Sequence, residues 1–199
     1  MTKNCLICGV GGQGVVLASR LIASAAMADG LFVRTAETIG MAQRGGSVVS
    51  HVRWGKEVHS PLIPFGAADT ILALEPAEAV RALHYLKSDG VVITSSKAVR
   101  PVTATLSGGY DSAAMLDYLT SHLEKLYIVD TDAICTAVGS HKAANVALLG
   151  AAAESGALSF SLAQIESALR SQTREKFFET NKKALLLGAA AVKETGVSL

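Results

Sequence analysis

Residues 4–28 constrain the fold of this chain most tightly. An apolar run at 4–10 is interrupted by Gly9-Val10-Gly11-Gly12-Gln13-Gly14, and 15–28 then repeats apolar residues at helical spacing through Val16, Leu17, Leu21, Ile22 and Ala25. Asp29-Gly30 supplies a helix-ending glycine signal, and 31–36 reads as a second strand. A strand that turns through glycines into a helix and returns as a strand is the opening of a doubly wound α/β sheet. Composition agrees: 50% of the 199 residues are hydrophobic and 5% aromatic, with small residues abundant, which lets helices lie close on strands.

Further along, 47–54 reads as a strand with two faces, one of Val48, Ser50, Val52 and Trp54, the other of Ser47, Val49, His51 and Arg53. Gly55-Lys56-Glu57 reads as a turn into a short return strand at 58–60, hence a β-hairpin insertion. Strands are predicted at 70–74, 91–94 and 127–130. Helices are predicted at 77–86, opened by Glu75-Pro76, and at 110–123 and 131–138. Beyond Lys142 the pattern is wholly helical, over 143–155, 162–172 and 174–193. The predicted fold is α/β: a Rossmann-like, doubly wound, mostly parallel sheet with a β-hairpin insertion and a helical C-terminal region, one domain over 1–199.

Charge and cysteine usage exclude several classes. A formal net charge of +1 gives no reason to expect nucleic acid or an anionic membrane as partner. The start reads as no secretory leader, and no apolar stretch reaches the ~20 residues that span a bilayer. Three cysteines do not make a disulfide framework, so the expected compartment is cytoplasmic.

The glycine loop is the first candidate site. Gly9, Gly11 and Gly14 match the G-x-G-x-x-G spacing between a strand and a helix, where backbone N–H groups and a helix N-terminus favour a phosphate. Gly12 and Gln13 complete it, Gln13 as a candidate polar donor. A dinucleotide site also wants an acid at the end of the second strand, and Glu37 arrives late. Two readings stay open here: the loop receives a phosphate, or it only closes the strand onto its helix. The second candidate is Glu37-Thr38-Ile39-Gly40-Met41-Ala42-Gln43-Arg44-Gly45-Gly46-Ser47, expected to border the same crevice. There Arg44, flanked by Gln43 and Gly45, suits a carboxylate or phosphate, against the alternative of a solvated surface arginine. His51, on the strand that follows, either reaches the crevice or is a hydrogen-bonded structural histidine.

The loop Gly9-Val10-Gly11-Gly12-Gln13-Gly14-Val15, together with the run from Glu37 through Met41-Ala42-Gln43-Arg44-Gly45-Gly46 to Arg53, resembles the gamma-type subunit or domain of the 2-oxoacid:ferredoxin oxidoreductases. The Met-Ala-Gln-Arg-Gly-Gly form is similar to the indolepyruvate branch, and the resemblance extends through Asn145-Val146-Ala147-Leu148-Leu149-Gly150, so it covers most of the chain. The resemblance implies oxidative decarboxylation of a 2-oxoacid with thiamine diphosphate, transfer of the acyl group to coenzyme A, and electron flow through 4Fe-4S iron–sulfur clusters to ferredoxin. It implies aryl pyruvates as substrates. It also implies a large partner subunit that carries the thiamine and the clusters, with no cofactor bound by this chain alone. The sequence itself has no C-x-x-C-x-x-C run for a cluster. Ala28-Asp29-Gly30 looks like part of a thiamine motif, but no paired asparagines follow, and a helix-ending turn explains it better.

Cys5 and Cys8 form C-x-x-C inside the first strand. Positions three apart on a strand face opposite ways, so they read as small buried hydrophobes and not as a redox or metal pair. Cys135 is a lone thiol. His59, His84, His122 and His141 make no metal-ligand spacing, and no proton-transfer residue stands out. Three functions follow as expectations: a subunit of a 2-oxoacid:ferredoxin oxidoreductase, a stand-alone dinucleotide-binding oxidoreductase, or a non-catalytic interaction module.

Overall fold

The computed structural model describes residues 2–38, 46–99 and 110–194. The sheet has strands β1 (Lys3–Val10), β2 (Phe32–Thr38), β3 (Ser47–Gly55), β4 (Ala68–Ala73), β5 (Leu86–Ser95) and β6 (Leu126–Val129). They stand in the order β2-β3-β1-β4-β5-β6. β3 runs antiparallel to both β1 and β2, which makes those two parallel to each other. β4, β5 and β6 continue parallel to β1. The result is a mostly parallel sheet with one reversed strand set into it.

The inserted hairpin differs from the sequence reading. The strand expected at 58–60 does not form. Arg53 explains part of this: its Nη1 donates to the carbonyls of Ser60 at 2.9 Å and Leu62 at 3.0 Å, and its Nε donates to Asn4 Oδ1 at 2.8 Å. Those carbonyls are held by a side chain and not by a ladder. The antiparallel partners of β3 are instead β1 on one side and β2 on the other, with Thr38 opposite Val49 and Phe32 opposite Gly55 on the β2 side.

Helices cover both faces. On one lie α1 (Val15–Ala28), α4 (Thr131–Val138), α5 (Ala144–Glu154), α6 (Leu162–Gln172) and α7 (Glu175–Glu194). On the other lie α2 (Pro76–Ala82) and α3 (Ser112–His122). The strands divide accordingly. Cys5, Ile7, Val52, Trp54, Leu72 and Ile93 face the first layer, and Leu6, Cys8, Ile71, Ala73 and Val92 face the second. Cys5 and Cys8 are both fully buried and lie on opposite faces, as strand alternation requires. Burial pushes both thiols up, so neither is a ready nucleophile.

α5 is buried on all sides from Asn145 to Ala153, enclosed by neighbouring helices and the sheet. Two glycines permit its close crossing with α7. A Cβ on Gly150 would stand 1.9 Å from the Leu185 carbonyl oxygen, and one on Gly188 1.8 Å from the Ala147 carbonyl oxygen. Fully buried Leu148, Leu149 and Leu185 fill the space beside that crossing, each stabilising by roughly 1.5–3 kcal/mol. The helix ends match their sequence signals. Glu75 caps α2 by accepting from Glu78 N at 3.0 Å, with Pro76 in the first turn. Ser161 and Gln164 form a capping box on α6. Asp29-Gly30 ends α1, with Gly30 at φ +73°.

Candidate functional site

β1 stops at Val10 because its next residues fold back on themselves. The Gln13 side chain ties the turn: its Oε1 accepts from Val10 N at 2.6 Å and its Nε2 donates to Leu74 O at 3.0 Å. Gln13 N also donates to Val10 O at 3.1 Å, and Gly11 N donates to Gly46 O at 2.8 Å. Gly9 is required beneath this knot, since a Cβ there would meet Gln13 Oε1 at 2.8 Å. Gln13 therefore binds the loop to the end of β4, a strut within the chain.

What the knot leaves over is a row of donors. Among the described residues the amides of Gly12, Gly14, Val15, Val16 and Leu17 have no acceptor, as the first turn of a helix without a side-chain cap demands. Gly12 is at the exposed tip with φ +100°, and a Cβ there would touch nothing. Gly14 has φ +87° and is pressed against Asn145, whose Nδ2 donates to Gly14 O at 3.1 Å. Asn145 is 1% exposed. It joins the start of α5 to the start of α1, which is a physical reason for the Asn145–Gly150 stretch to accompany the glycine loop.

The loop divides two depressions. One, of about 330 Å³, lies between Val10, Val15, Val16 and Val48. The other, of about 380 Å³, opens beyond the carboxyl ends of β1, β4, β5 and β6, where open parallel sheets take their ligands. Gly12, Gly14, Leu74, Ser95, Lys97, Thr131, Cys135, His141 and Lys142 are on its walls. Lys97 is ion-paired with Asp132, a contact that raises the pKa of the ammonium and lowers that of the carboxyl. Lys142 has no ion pair among the described residues. Cys135 is 4% exposed, and burial pushes its thiol up.

The remaining expected residues separate. Glu37 is on β2 facing α1, and its Oε1 accepts from Ser19 Oγ at 3.2 Å. Gln43, Arg44 and Gly45 lie outside the described residues. His51 is on the opposite face of the sheet from α1. Its Nδ1 accepts from Ile63 N at 3.2 Å, and its ring meets Tyr85 edge-on at 5.5 Å. At 5% exposure, burial lowers its pKa by disfavouring the charged ring. The structural reading of His51 fits this placement, and the crevice reading does not.

Sequence reasoning missed Lys97, His141, Lys142 and Asn145 as site residues. Lys97 was findable, because it follows a predicted strand at its carboxyl end. It also missed a buried acid pair at the head of α2. Glu75 is fully buried with Oε1 lacking any partner, and burial pushes its carboxyl up to about 7. Glu78 Oε2 accepts from Ser47 Oγ at 2.5 Å and its Oε1 from Arg81 Nη1 at 2.8 Å, which ties the start of β3 to α2.

Comparison with known proteins gives this geometry a family. The family model of pyruvate ferredoxin/flavodoxin oxidoreductase matches residues 4–191. The indolepyruvate oxidoreductase subunit IorB of Archaeoglobus fulgidus is 41% identical over 94% of this chain and 94% of its own. In fold, the chain superposes with TM-score 0.70 on the keto/oxoacid ferredoxin oxidoreductase gamma subunit of Geobacter sulfurreducens, at 24% identity, covering 96% of this chain and 99% of that one. The same TM-score, 0.70, is reached at 18% identity on the 2-oxoglutarate:ferredoxin oxidoreductase of Magnetococcus marinus, solved with 2-oxoglutarate, coenzyme A and succinyl-CoA, where 97% of this chain matches 31% of that chain. The cleft at the glycine loop thus lies in a chain that belongs to the pyruvate ferredoxin/flavodoxin oxidoreductase family, as a subunit of the kind that indolepyruvate oxidoreductases carry.

Proposed function

We propose that this chain serves a thiamine-diphosphate-dependent complex that oxidises indolepyruvate and related aryl pyruvates, and that its glycine loop receives the diphosphate of coenzyme A. The observation that carries the reading is the row of unpaired amides at Gly12, Gly14 and the first turn of α1, open to a cleft flanked by Lys97 and Lys142. Such donors are preorganised for phosphate oxygens, and the helix dipole adds to them. In the overall reaction the bond to the 2-oxoacid carboxylate breaks and carbon dioxide leaves. A thioester bond to the coenzyme A sulfur forms and the thiol proton goes to solvent; iron–sulfur clusters held by the partner would supply the acceptor for the electron pair, on its way to ferredoxin. Thiamine diphosphate and the clusters belong in this reading to the large partner subunit; for the clusters, the three cysteines here are each buried in the core and do not form a ligand set.

This chain then binds and positions. Gly9, Gly11, Gly14 and Gln13 hold the loop in shape, and Gly12 presents its amide at the tip. Glu37 borders the α1 side through Ser19. Arg44, with Gln43 and Gly45, is assigned to the 2-oxoacid carboxylate or another anion, on the strength of its fork of donors. Co-expression with the large subunit, co-purification and an assay of aryl-pyruvate-dependent ferredoxin reduction test the reading. Gly12→Asp sets a carboxylate against the phosphates and raises the KM for coenzyme A by about tenfold or more. Full activity of the large subunit alone, unchanged when this chain is added, refutes it.

A further inference from the structure

The glycine loop is tied on two sides to one corner of the fold, where β4 runs through Leu74 and Glu75 into α2. On one side Gln13 Nε2 donates to Leu74 O at 3.0 Å. On the other, Gly11 N donates to Gly46 O at 2.8 Å, and the next residue, Ser47, donates from its Oγ to Glu78 Oε2 at 2.5 Å. Ser47 stands opposite Val10 in the last rung of the β1–β3 ladder before the loop. A terminal rung frays unless something beyond it holds it. Here the holding groups are the Gly11 amide and the Glu78 carboxylate.

Glu78 is fixed from every side. Its side chain is 2% exposed, and both carboxylate oxygens are engaged, Oε2 by Ser47 and Oε1 by Arg81 Nη1 at 2.8 Å. Its own N–H donates to Glu75 Oε2 at 3.0 Å, and its carbonyl accepts from Cys8 Sγ at 3.4 Å. Stability alone does not call for this arrangement, because a carboxylate taken out of water recovers its desolvation only against well-placed partners. A second buried carboxyl, Glu75, lies beside it with Oε1 unpartnered, its pKa raised by burial first and by the Glu78 charge as well. A corner that costs stability and fixes geometry is the pattern of a support for a functional site.

We propose that Glu78 is a positioning residue: acting through Ser47 and Gly46, it holds the glycine loop at the end of β1 and so aims the loop's free amides. The consequence for ligand affinity rests on the reading that the loop receives the diphosphate of coenzyme A; the consequence for the loop itself does not.

Hydrogen exchange of the purified, ligand-free complex, followed by mass spectrometry over residues 9–16, tests it together with calorimetric titration of coenzyme A. Ser47→Ala removes the hydroxyl and leaves the ladder, Ser47→Thr keeps the hydroxyl, and Glu78→Ala removes the carboxylate. Exchange at the Gly11 and Gln13 amides is expected to be about two- to thirtyfold faster in Ser47→Ala, with coenzyme A weakened by a similar factor. Ser47→Thr restores both, and peptides from α5 and α7 keep their wild-type exchange. Adding Ser47→Ala to Glu78→Ala loosens the loop no further, because the two act along one path; where Glu78→Ala does not assemble, the two Ser47 variants decide alone. If Ser47→Ala leaves exchange over 9–16 at the wild-type rate, or speeds exchange throughout the chain alike, the proposal is wrong. It is equally wrong if coenzyme A affinity ignores Ser47→Ala yet falls with Gly12→Asp, and the diphosphate reading then stands. If exchange over 9–16 rises locally while neither Ser47→Ala nor Gly12→Asp alters coenzyme A binding, the support role holds and the diphosphate reading fails.

Discussion

Gln13 shows how a motif residue can be spent on shape. Its amide satisfies Val10 N and Leu74 O, so Gln13→Ala strips partners from two backbone groups and costs about 1–3 kcal/mol, read from urea unfolding. A role confined to ligand contact would leave stability untouched. Gly14→Ala combines a left-handed backbone with a Cβ 2.4 Å from Asn145 Nδ2, and is expected to destabilise by about 2 kcal/mol or more. Glu75 predicts a pH dependence. Its folded-state pKa is raised from 4.5 to about 7 by burial. The folded chain therefore holds a proton that the unfolded chain has lost across that window. Stability falls as pH rises from about 4.5 to about 7 and is flat above, by a total on the order of 3 kcal/mol. Glu75→Gln keeps an acceptor for Glu78 N and removes the slope, so the variant gains on wild type as pH rises, measured by denaturation at matched pH values. His51, with its pKa lowered, works in the opposite sense below its ordinary value and cancels in that difference.

Between elements, the glycines of α5 and α7 make the sharpest forecast. Gly150→Ala or Gly188→Ala would drive a methyl into a backbone carbonyl. The helices must then separate, at a cost of about 1–3 kcal/mol or more. The double variant should cost less than the sum, because one separation relieves both contacts. Most elements were legible in the sequence: α1, α4 and α6 span the residues that the helical pattern assigned to them, α1 ending at the Asp29-Gly30 signal, and β3 carries the two faces that alternation assigned. The partner of β3 was not legible. A turn signal at Gly55 is local, whereas the choice of β2 over 58–60 depends on Arg53 reaching Ser60 and Leu62 across the surface. The glycine loop was legible as a place and less so in its division of labour. Spacing names the glycines, but only three-dimensional pairing shows which amides are already taken, and Lys142 reaches the crevice through a tertiary route that no window of sequence contains.

For the molecule as a whole, membership of a multi-subunit oxidoreductase sets the expectation that ligand and partner act together. On the proposal that the glycine loop receives coenzyme A, a hundredfold excess over its Kd stabilises this chain within the complex by about 2.7 kcal/mol, seen as a rise in its unfolding temperature that Gly12→Asp abolishes. The order of the strands carries a last implication, for how the chain is made. β1 and β2 are parallel but not neighbours, and lie roughly 9–10 Å apart, two strand spacings. A nascent chain that has released only those two strands and α1 holds a slot with nothing to fill it. The N-terminal half-sheet closes only when β3 threads between them as the central rung, so this familiar-looking opening motif should not fold as an autonomous fragment, and synthesis must pass Gly55 before the glycine loop acquires its anchor at Gly46.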